Sequence, residues 1–397
     1  MYFVLSVELI LIYYEKLIIT MLNKIAIILD VNSYSWNGGI NYFNSLAENL
    51  DGVKNKLIII TGKKTLIEKK KFNNKIEFIK TNYCDPKTLP WFFRKIIFRL
   101  ISKDILLINF LSKNSVNIVT HSVTLGNQDK IKIITWIPDM QQFYLKSDYN
   151  EIETKKKIKQ YSEYVKYSNK ILFSSYTEKN KFLSLFKINK NIETVVIHNL
   201  PTLIKKKDLI SCIKLRKKFS FKKDFFFIPN QFWEHKNHLF LFKVIKSLKK
   251  TNYLFIFSGE LKDYRNQLHI KKILLFVKKN KLDHKIKILN NIKYNEVISL
   301  IVNSIAVINP SLYEGWSTTV EEAKMYMKRL IISNIDVHKE QVKKISSFFD
   351  LNNPKSLINK INKIKNLKKK KFNYSIISRS YFIKQKKFRN ELFKLYN

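Results

Sequence analysis

The sequence EGWSTTVEE, from Glu314 to Glu322, decides the fold prediction for this chain. An apolar run of strand length, residues 305–308, comes before it and is stopped by Pro310. The apolar residues after it recur at helical spacing, and residues 330–333 form another apolar run of strand length. The order strand, loop, helix, strand is the repeating unit of a parallel sheet. The segment therefore predicts an α/β domain with Glu314 in a loop and Glu322 about one turn into a helix.

The same segment holds the groups that a sugar nucleotide requires. Hydroxyl side chains at 317–319 stand where the helix should begin, and a helix N-terminus can bind phosphate through its free amides. Ligands of parallel sheets lie at the carboxyl ends of strands, where Glu314 is expected. We expect one carboxylate to bind a sugar and the other a ribose. Thr318 and Glu321 have capping-box spacing, so we interpret Glu321 as a cap.

Strand and helix patterns alternate through both halves of the chain, which predicts two doubly wound parallel-sheet domains of the Rossmann type. Residues 198–201 and the lysines after them form a linker pattern. The domains are therefore placed at 21–200 and 201–375, with a C-terminal helix at 376–397 that returns to the first domain. Two such domains leave a central cleft, which is a preferred place for a small-molecule site. The predicted strands are 25–29, 57–60, 76–79, 116–120, 132–136, 171–174, 194–197, 225–228, 254–258, 287–289, 305–308 and 330–333.

The first 20 residues are apolar and aromatic, but Glu8, Glu15 and Lys16 interrupt them. They lack the basic start of a signal peptide and an unbroken apolar span of membrane length. We interpret them as an extension before the true start at Met21, with a short interfacial anchor as the alternative. Two cysteines in 397 residues give no disulfide framework, which favours the cytoplasm.

The formal net charge of +43 would favour a nucleic-acid partner if the lysines were clustered. They are instead dispersed over many segments, and no zinc-finger or RNA-binding motif accompanies them. We therefore predict no specific nucleic-acid partner. The charge should attract anions, including a nucleotide sugar and the inner face of an anionic membrane, to which the protein would bind peripherally.

Other candidate site residues follow predicted strands, on the side of each sheet that faces the cleft. In the second domain these are Lys236, ahead of a helix, and Gly259, at a strand end. In the first domain they are the helix-opening pair at 38–39, His121 and Asp139. The dinucleotide glycine pattern and the Asp-x-Asp metal motif are absent from the sequence, so we predict no cofactor and no metal.

These motifs resemble a known family. PSLYEGWS at 310–317 and EEAK at 321–324 resemble the donor-site motif of retaining glycosyltransferases with two Rossmann-like domains (the GT-B fold), in particular glycosyltransferase family 4. SNI at 333–335 and HKEQ at 338–341 continue the match. Three further segments, at 230–238, 258–260 and 136–141, are similar to the branch that makes bacterial envelope polysaccharides. The resemblance covers roughly residues 22–345.

The resemblance implies roles for individual residues. Glu314 would contact the donor hexose, Glu322 the ribose and Lys236 the diphosphate. Gln231 occupies a place where the family often has an arginine. Asp139 would lie on the acceptor side. The other implied donor-site residues are His121 by the sugar, and Gly38, Gly39, Gly259, Gly315, Ser317 and Thr318 by the nucleotide.

The reaction implied is transfer of a hexose, with retention, from a nucleotide-diphosphate sugar to a hydroxyl of a glycan or lipid-linked acceptor. It would serve lipopolysaccharide or cell-surface polysaccharide synthesis. The sequence leaves two alternatives open. One is a basic protein that binds nucleic acid or a surface on the same scaffold, and the other is a sugar-nucleotide epimerase.

Overall fold

The computed structural model describes residues 23–30, 33–34, 37–51, 55–145, 151–248, 252–263, 265–343, 348–365, 367 and 372–397. The predicted extension at residues 1–20 lies outside these ranges. The described strands are β1 (Lys24–Leu29), β2 (Ser33–Tyr34), β3 (Lys56–Thr61), β4 (Leu66–Ile67), β5 (Glu77–Lys80), β6 (Ile118–Thr120), β7 (Lys132–Ile137), β8 (Lys170–Phe173), β9 (Glu193–Val196), β10 (Asp224–Ile228), β11 (Tyr253–Ser258), β12 (Ile286–Leu289), β13 (Val307–Asn309), β14 (Leu330–Ser333) and β15 (Phe348–Phe349).

The helices of the described ranges alternate with these strands. They are α1 (Asn37–Asp51), α2 (Leu89–Ile101), α3 (Ile105–Lys113), α4 (Gln141–Tyr144), α5 (Glu151–Tyr167), α6 (Tyr176–Leu185), α7 (Cys212–Lys218), α8 (His238–Ser247), α9 (Gln267–Lys279), α10 (Tyr294–Asn303), α11 (Thr318–Met325), α12 (Asp336–Gln341), α13 (Pro354–Lys365) and α14 (Tyr374–Tyr396).

Two parallel sheets organise the chain. The first has the order β5-β3-β1-β6-β7-β8-β9 and the second the order β12-β11-β10-β13-β14-β15. Pairing within both sheets is parallel throughout, for example at Ile27–Ile59 and Ile308–Ile331. Short β2 and β4 pair separately. This architecture confirms the predicted fold class of two doubly wound α/β domains.

Each sheet reverses its winding direction beside its first strand. In the first sheet β1 lies between β3 and β6, and in the second β10 lies between β11 and β13. The strands around these reversals are apolar on both faces, as in the buried residues 25–28 and 225–228. Such topological switch points open a crevice at the carboxyl ends of the neighbouring strands. The loops after β10 and β13 therefore meet, although they are distant in sequence.

The last helix returns to the first domain, as predicted. Asn23 Nδ2 donates to the carbonyl oxygen of Tyr396 at 3.5 Å, and Arg389 Nε donates to Asn49 Oδ1 at 3.4 Å. Tyr396 itself is buried in the same apolar cluster as Leu46 of α1. Helix α14 therefore packs against the N-terminal domain.

The structure corrects some local predictions. Helices α2 and α3 fall in a region for which no helix or strand was predicted. Helix α11 ends at Met325, so Met327, one of the apolar residues at helical spacing after Glu322, lies beyond the helix and is exposed with φ 53°. The helix-capping residue is Ser317 rather than Thr318, and its side chain caps nothing. Glu321 instead pairs with Lys324 and accepts a hydrogen bond from Gln341, because tertiary contacts displace the local capping box.

Candidate functional site

Lys236 and Glu314 meet at the switch point of the second sheet. Lys236 ends a 3₁₀ turn in the loop after β10, and Glu314 lies in the loop after β13. Lys236 Nζ lies 2.8 Å from both carboxylate oxygens of Glu314, and both side chains are largely buried. Burial alone would raise the pKa of Glu314, but the charge of Lys236 and the hydrogen bonds from Lys236 and Ser311 outweigh it and lower the pKa to about 2. The carboxylate is therefore ionised at neutral pH.

A buried network of amide and hydroxyl side chains fixes the orientation of the Glu314 carboxylate. Ser311 Oγ donates to Glu314 Oε1 at 2.7 Å, and Asn309 Nδ2 lies 3.4 Å from the same oxygen. Asn309 also donates to Ser317 Oγ at 2.8 Å, while Asn230 Nδ2 donates to Asn309 Oδ1 at 3.1 Å. Since these amides and hydroxyls come from both loops, they hold Glu314 in one orientation relative to Lys236.

Gln231 and Gly259 form the neighbouring wall of the crevice. Gln231 Oε1 accepts a hydrogen bond from the backbone N–H of Glu260 at 2.8 Å. Gly259 has φ +150°, and a Cβ there would lie 2.4 Å from the carbonyl oxygen of Asn230. Only glycine allows this approach, so the loop after β11 packs directly on the loop that carries Lys236.

Glu322 and Thr318 occupy the first turns of α11. Glu322 is buried and accepts a hydrogen bond from the Tyr294 phenol. Burial raises the pKa of Glu322 to about 7 despite that bond. Thr318 is half-buried at the first helical position, and Thr319 beside it donates to Asn230 Oδ1 at 3.1 Å. The N-terminus of α11 is therefore tied to the Lys236 loop.

His121 follows β6 and lies in an aromatic cluster of the first domain. Its ring is 4.9 Å from that of Trp136, and its Nε2 lies 2.7 Å from the Tyr42 hydroxyl. Burial lowers the pKa of His121 to about 3, so the imidazole is neutral. The backbone is left-handed, with φ 55°. A non-glycine residue in that conformation carries backbone strain, which concentrates at functional sites.

The glycine pair opens α1, the helix that follows β1. Gly38 is exposed and Gly39 is buried at the first turn. Because β1 and β6 are neighbours, this helix start and His121 flank the switch point of the first sheet. Both predicted groups of the first domain thus occupy the carboxyl edge of their sheet.

Asp139 and Gly315 bring the two domains into contact. A Cβ at Gly315 would lie 2.0 Å from the carbonyl oxygen of Pro138 and 2.7 Å from Asp139 Cβ. Asp139 Oδ1 accepts from the Gln141 N–H at 3.2 Å, and burial raises the pKa of this carboxyl. Asp139 also lies close enough to Lys236 for its cation to oppose that rise. The predicted acceptor-side acid therefore faces the predicted donor site.

Further contacts between the domains involve residues for which no role was predicted. The Tyr313 hydroxyl donates to Glu178 Oε2 at 2.6 Å, and Glu178 is fully buried. Glu340 accepts the backbone N–H groups of Tyr176 and Thr177, each at 2.8 Å, at the N-terminus of α6. The sequence carried no local signal for Glu178, and Glu340 was marked only as part of the motif at 338–341.

His338 is a buried residue close enough to Glu314 to interact with it electrostatically. Its Nδ1 donates to the Ser333 carbonyl oxygen at 2.9 Å, and its buried Nε2 has no hydrogen-bond partner. Burial lowers the pKa of this histidine, although the charge of Glu314 opposes the shift.

The described residues contain no group of three or more His, Cys, Asp or Glu placed to hold a metal ion. None of the described helices is long and apolar enough to cross a membrane.

The second half of the chain is similar to a known family. Residues 213–381, less than half of the chain, match the family model described as glycosyl transferases group 1. No curated protein matches. The matched segment contains Lys236, Glu314 and Glu322, and it identifies the chain as a transferase.

Solved structures share the fold at low sequence identity. A glycosyltransferase from Rickettsia africae is 18% identical, with a TM-score of 0.62 and coverage of 95% of each chain. HepE of Anabaena, solved with UDP and glucose, is 11% identical, with a TM-score of 0.61 over 87% of this chain and 90% of its own. WaaG, a glycosyltransferase involved in lipopolysaccharide biosynthesis, is 12% identical, with a TM-score of 0.61 over 92% and 94%. The fold is that of the GT-B glycosyltransferases.

Proposed function

We propose that this protein is a retaining glycosyltransferase of family 4. It transfers a hexose from a nucleotide-diphosphate sugar to a hydroxyl of a glycan or lipid-linked acceptor in the synthesis of bacterial lipopolysaccharide or surface polysaccharide. The observation that carries the proposal is the Lys236–Glu314 pair at the switch point of a glycosyl transferases group 1 domain. A fixed carboxylate and a cation then stand side by side where a sugar and its diphosphate would bind.

In this proposal Glu314 accepts hydrogen bonds from hydroxyls of the donor hexose. Its low pKa keeps it an acceptor, and Ser311 and Asn309 hold its orientation. A preorganised acceptor does not have to be reoriented when the substrate binds, which lowers the cost of reaching the transition state.

Lys236 binds the diphosphate and stabilises the charge that develops on the leaving group. The diphosphate then competes with Glu314 for the ammonium group. Gln231 cannot supply a second positive charge, and its amide oxygen is already engaged by the Glu260 N–H. The amides at the start of α11, with Gly315, Ser317 and Thr318, and those at Gly38 and Gly39 across the cleft supply the remaining donors.

The other proposed roles follow from position. Glu322 binds the ribose hydroxyls, and Gly259 allows the backbone to approach the nucleotide. His121 contacts the donor sugar as a neutral imidazole, and Asp139 faces the acceptor. The UDP and glucose in the HepE structure and the lipopolysaccharide role of WaaG support a uridine donor and an envelope acceptor. We place the protein at the cytoplasmic face of an anionic membrane.

A thermal-shift screen with UDP- and GDP-sugars, followed by release of nucleoside diphosphate from the best donor, tests the proposal. We expect one of the uridine donors to raise the melting temperature. Glu314→Gln keeps the shape of the side chain but removes the charge, and should lower turnover about 100-fold or more.

Glu321→Gln is the matched control, since this acid belongs to the same segment but pairs with Lys324. It should leave turnover near the wild-type value. Full turnover in Glu314→Gln would refute the site assignment. Formation of a new sugar nucleotide without an acceptor would support the epimerase instead, and salt-sensitive RNA binding without any donor shift would support the nucleic-acid alternative.

A further inference from the structure

Helix α2 presents its polar side to the protein. Arg94, only 1% exposed, pairs with Asp30 Oδ2 at 2.6 Å and with Asp104 Oδ2 at 3.2 Å. The indole N–H of Trp91 donates to Asp30 Oδ1 at 2.7 Å. The helix is therefore held on the first domain by ion pairs and hydrogen bonds, where a typical surface helix uses apolar contacts.

The apolar side chains of α2 point to solvent. Leu89 is 71% exposed, Phe92 54%, Phe93 56%, Ile96 38% and Leu100 77%. Their spacing of three, four, seven and eleven residues from the first places them along one face of the helix. A folded protein rarely exposes a contiguous stripe of this kind without something to cover it.

Positive charge flanks this stripe. Arg99 lies in α2, Lys103 directly after it and Lys87 just before it, and the helix contains no acidic residue. Lys95, also in α2, pairs with Asp30 at 2.9 Å. An apolar face bordered by cations matches the interface of an anionic bilayer, where rings enter the headgroup boundary and cations meet phosphate. A second copy of this chain would bring the same net charge of +43 and the same basic border, so self-association is opposed electrostatically.

Helix α2 is anchored at the edge of the first sheet that borders the cleft. Asp30, which binds both Trp91 and Arg94, directly follows β1 at the carboxyl edge of the first sheet. This is the edge that also carries the start of α1. A surface bound through α2 would therefore lie next to the side of the first domain that faces the donor site.

We propose that α2 is an interfacial helix that docks the protein on an anionic bilayer through Leu89, Phe92, Phe93, Ile96 and Leu100. The inference rests on the proposed function in one respect: it makes the acceptor lipid-linked, because the cleft then opens beside the bilayer. The docking itself follows from the exposed face and its charge. With 13 residues the helix is too short to span a membrane, so it lies along the surface.

Co-sedimentation with phosphatidylcholine vesicles, with and without phosphatidylglycerol, tests the proposal. We expect the full chain to bind the vesicles that contain phosphatidylglycerol. Phe92→Ser combined with Leu100→Ser should lower the partition coefficient roughly tenfold or more. Arg99→Gln should lower it about fivefold, and only on anionic vesicles. Since all three side chains are exposed, these variants should fold normally.

Ile213→Ser combined with Leu268→Ser, two strongly exposed apolar residues of other helices, is the matched control and should bind as the wild type does. Failure of the wild type to bind, or equal loss in variant and control, would overturn the proposal. So would a wild-type dimer that the Phe92→Ser, Leu100→Ser variant dissociates. A UDP-induced thermal shift in the same variant separates the two proposals: if it persists while vesicle binding is absent, only the docking inference fails.

Discussion

At the scale of single residues, Glu322 shows how burial changes the chemistry of a carboxylate. It stands in the same segment as Glu314, yet the pKa values of the two acids move in opposite directions. Glu314 has Lys236 beside it, whereas Glu322 has only the Tyr294 phenol to oppose its burial. Near neutral pH the first is fully ionised and the second is about half protonated.

The raised pKa of Glu322 predicts pH-dependent nucleotide binding. A protonated carboxyl is a poorer acceptor for ribose hydroxyls than a carboxylate is. The affinity for UDP should therefore rise by about tenfold between pH 6 and pH 8 as the group ionises around its folded pKa of about 7. Isothermal titration at several pH values measures this rise.

Glu322→Gln should flatten that pH profile, and Glu321→Gln should preserve it. Identical profiles in the wild type and Glu322→Gln would exclude Glu322 as the titrating ribose ligand. The free energy of unfolding changes with pH in the opposite direction to the affinity for UDP. A folded pKa above the ordinary value of 4.5 means that the unfolding free energy falls as pH rises from about 4.5 to about 7.

At the scale of secondary-structure elements, an acid from the other domain caps the N-terminus of α6. Glu340 of α12 accepts both backbone N–H groups at the start of α6 and lies 3.0 Å from His198 Nε2. Burial would raise its pKa, but the hydrogen bonds from His198 and Thr177 lower it to about 2. This contact adds a charged cap to the ordinary capping of α6 by Ser175.

Glu340→Gln should therefore lower the unfolding free energy by about 1–2 kcal/mol at neutral pH. A depressed folded pKa gives stability that is present above about pH 4.5 and is lost as pH falls through about 2. The difference between variant and wild type should shrink over that range in urea unfolding. Glu151→Gln, an exposed first-turn acid of α5, should have little effect. Equal effects of both substitutions would contradict a specific capping role.

At the scale of the whole molecule, Gly315 sets how closely the domains approach. The carbonyl oxygen of Pro138 occupies the space that a side chain at position 315 would need. Tyr313 and Glu178 form a buried hydrogen bond beside this contact. The two domains therefore touch directly where the proposed donor and acceptor sides meet.

Gly315→Ala should hold the domains apart. We expect an increased radius of gyration in small-angle X-ray scattering and a loss of transfer of roughly tenfold or more, because the reacting groups are no longer aligned. The UDP-induced thermal shift should become smaller but remain detectable, since Lys236 and Glu322 belong to one domain whereas Gly38 and Gly39 lie across the cleft. Leu312→Ala, an exposed position of the same loop, is the control. An unchanged radius and unchanged transfer would show that closure does not depend on this glycine.

The sequence by itself determined the fold class and the proximity of the proposed donor residues to strand ends. Both depend on short-range periodicity: apolar runs of strand length, helical spacing and turn residues recur within a few positions. The segment at 314–322 therefore predicts its own loop and helix from neighbouring residues alone. The prediction of its capping was wrong because Gln341, 20 residues beyond Glu321, competes for the same carboxylate.

Only the tertiary structure decided which of these groups interact. Lys236 and Glu314 are 78 residues apart, and Glu340 and Tyr176 are 164 apart. It also decided the orientation of α2, whose buried face follows from Arg94 and Asp30, 64 residues apart. No local period encodes such pairs, because they exist only after the sheets bring distant loops together, and their charges and burial then set each pKa.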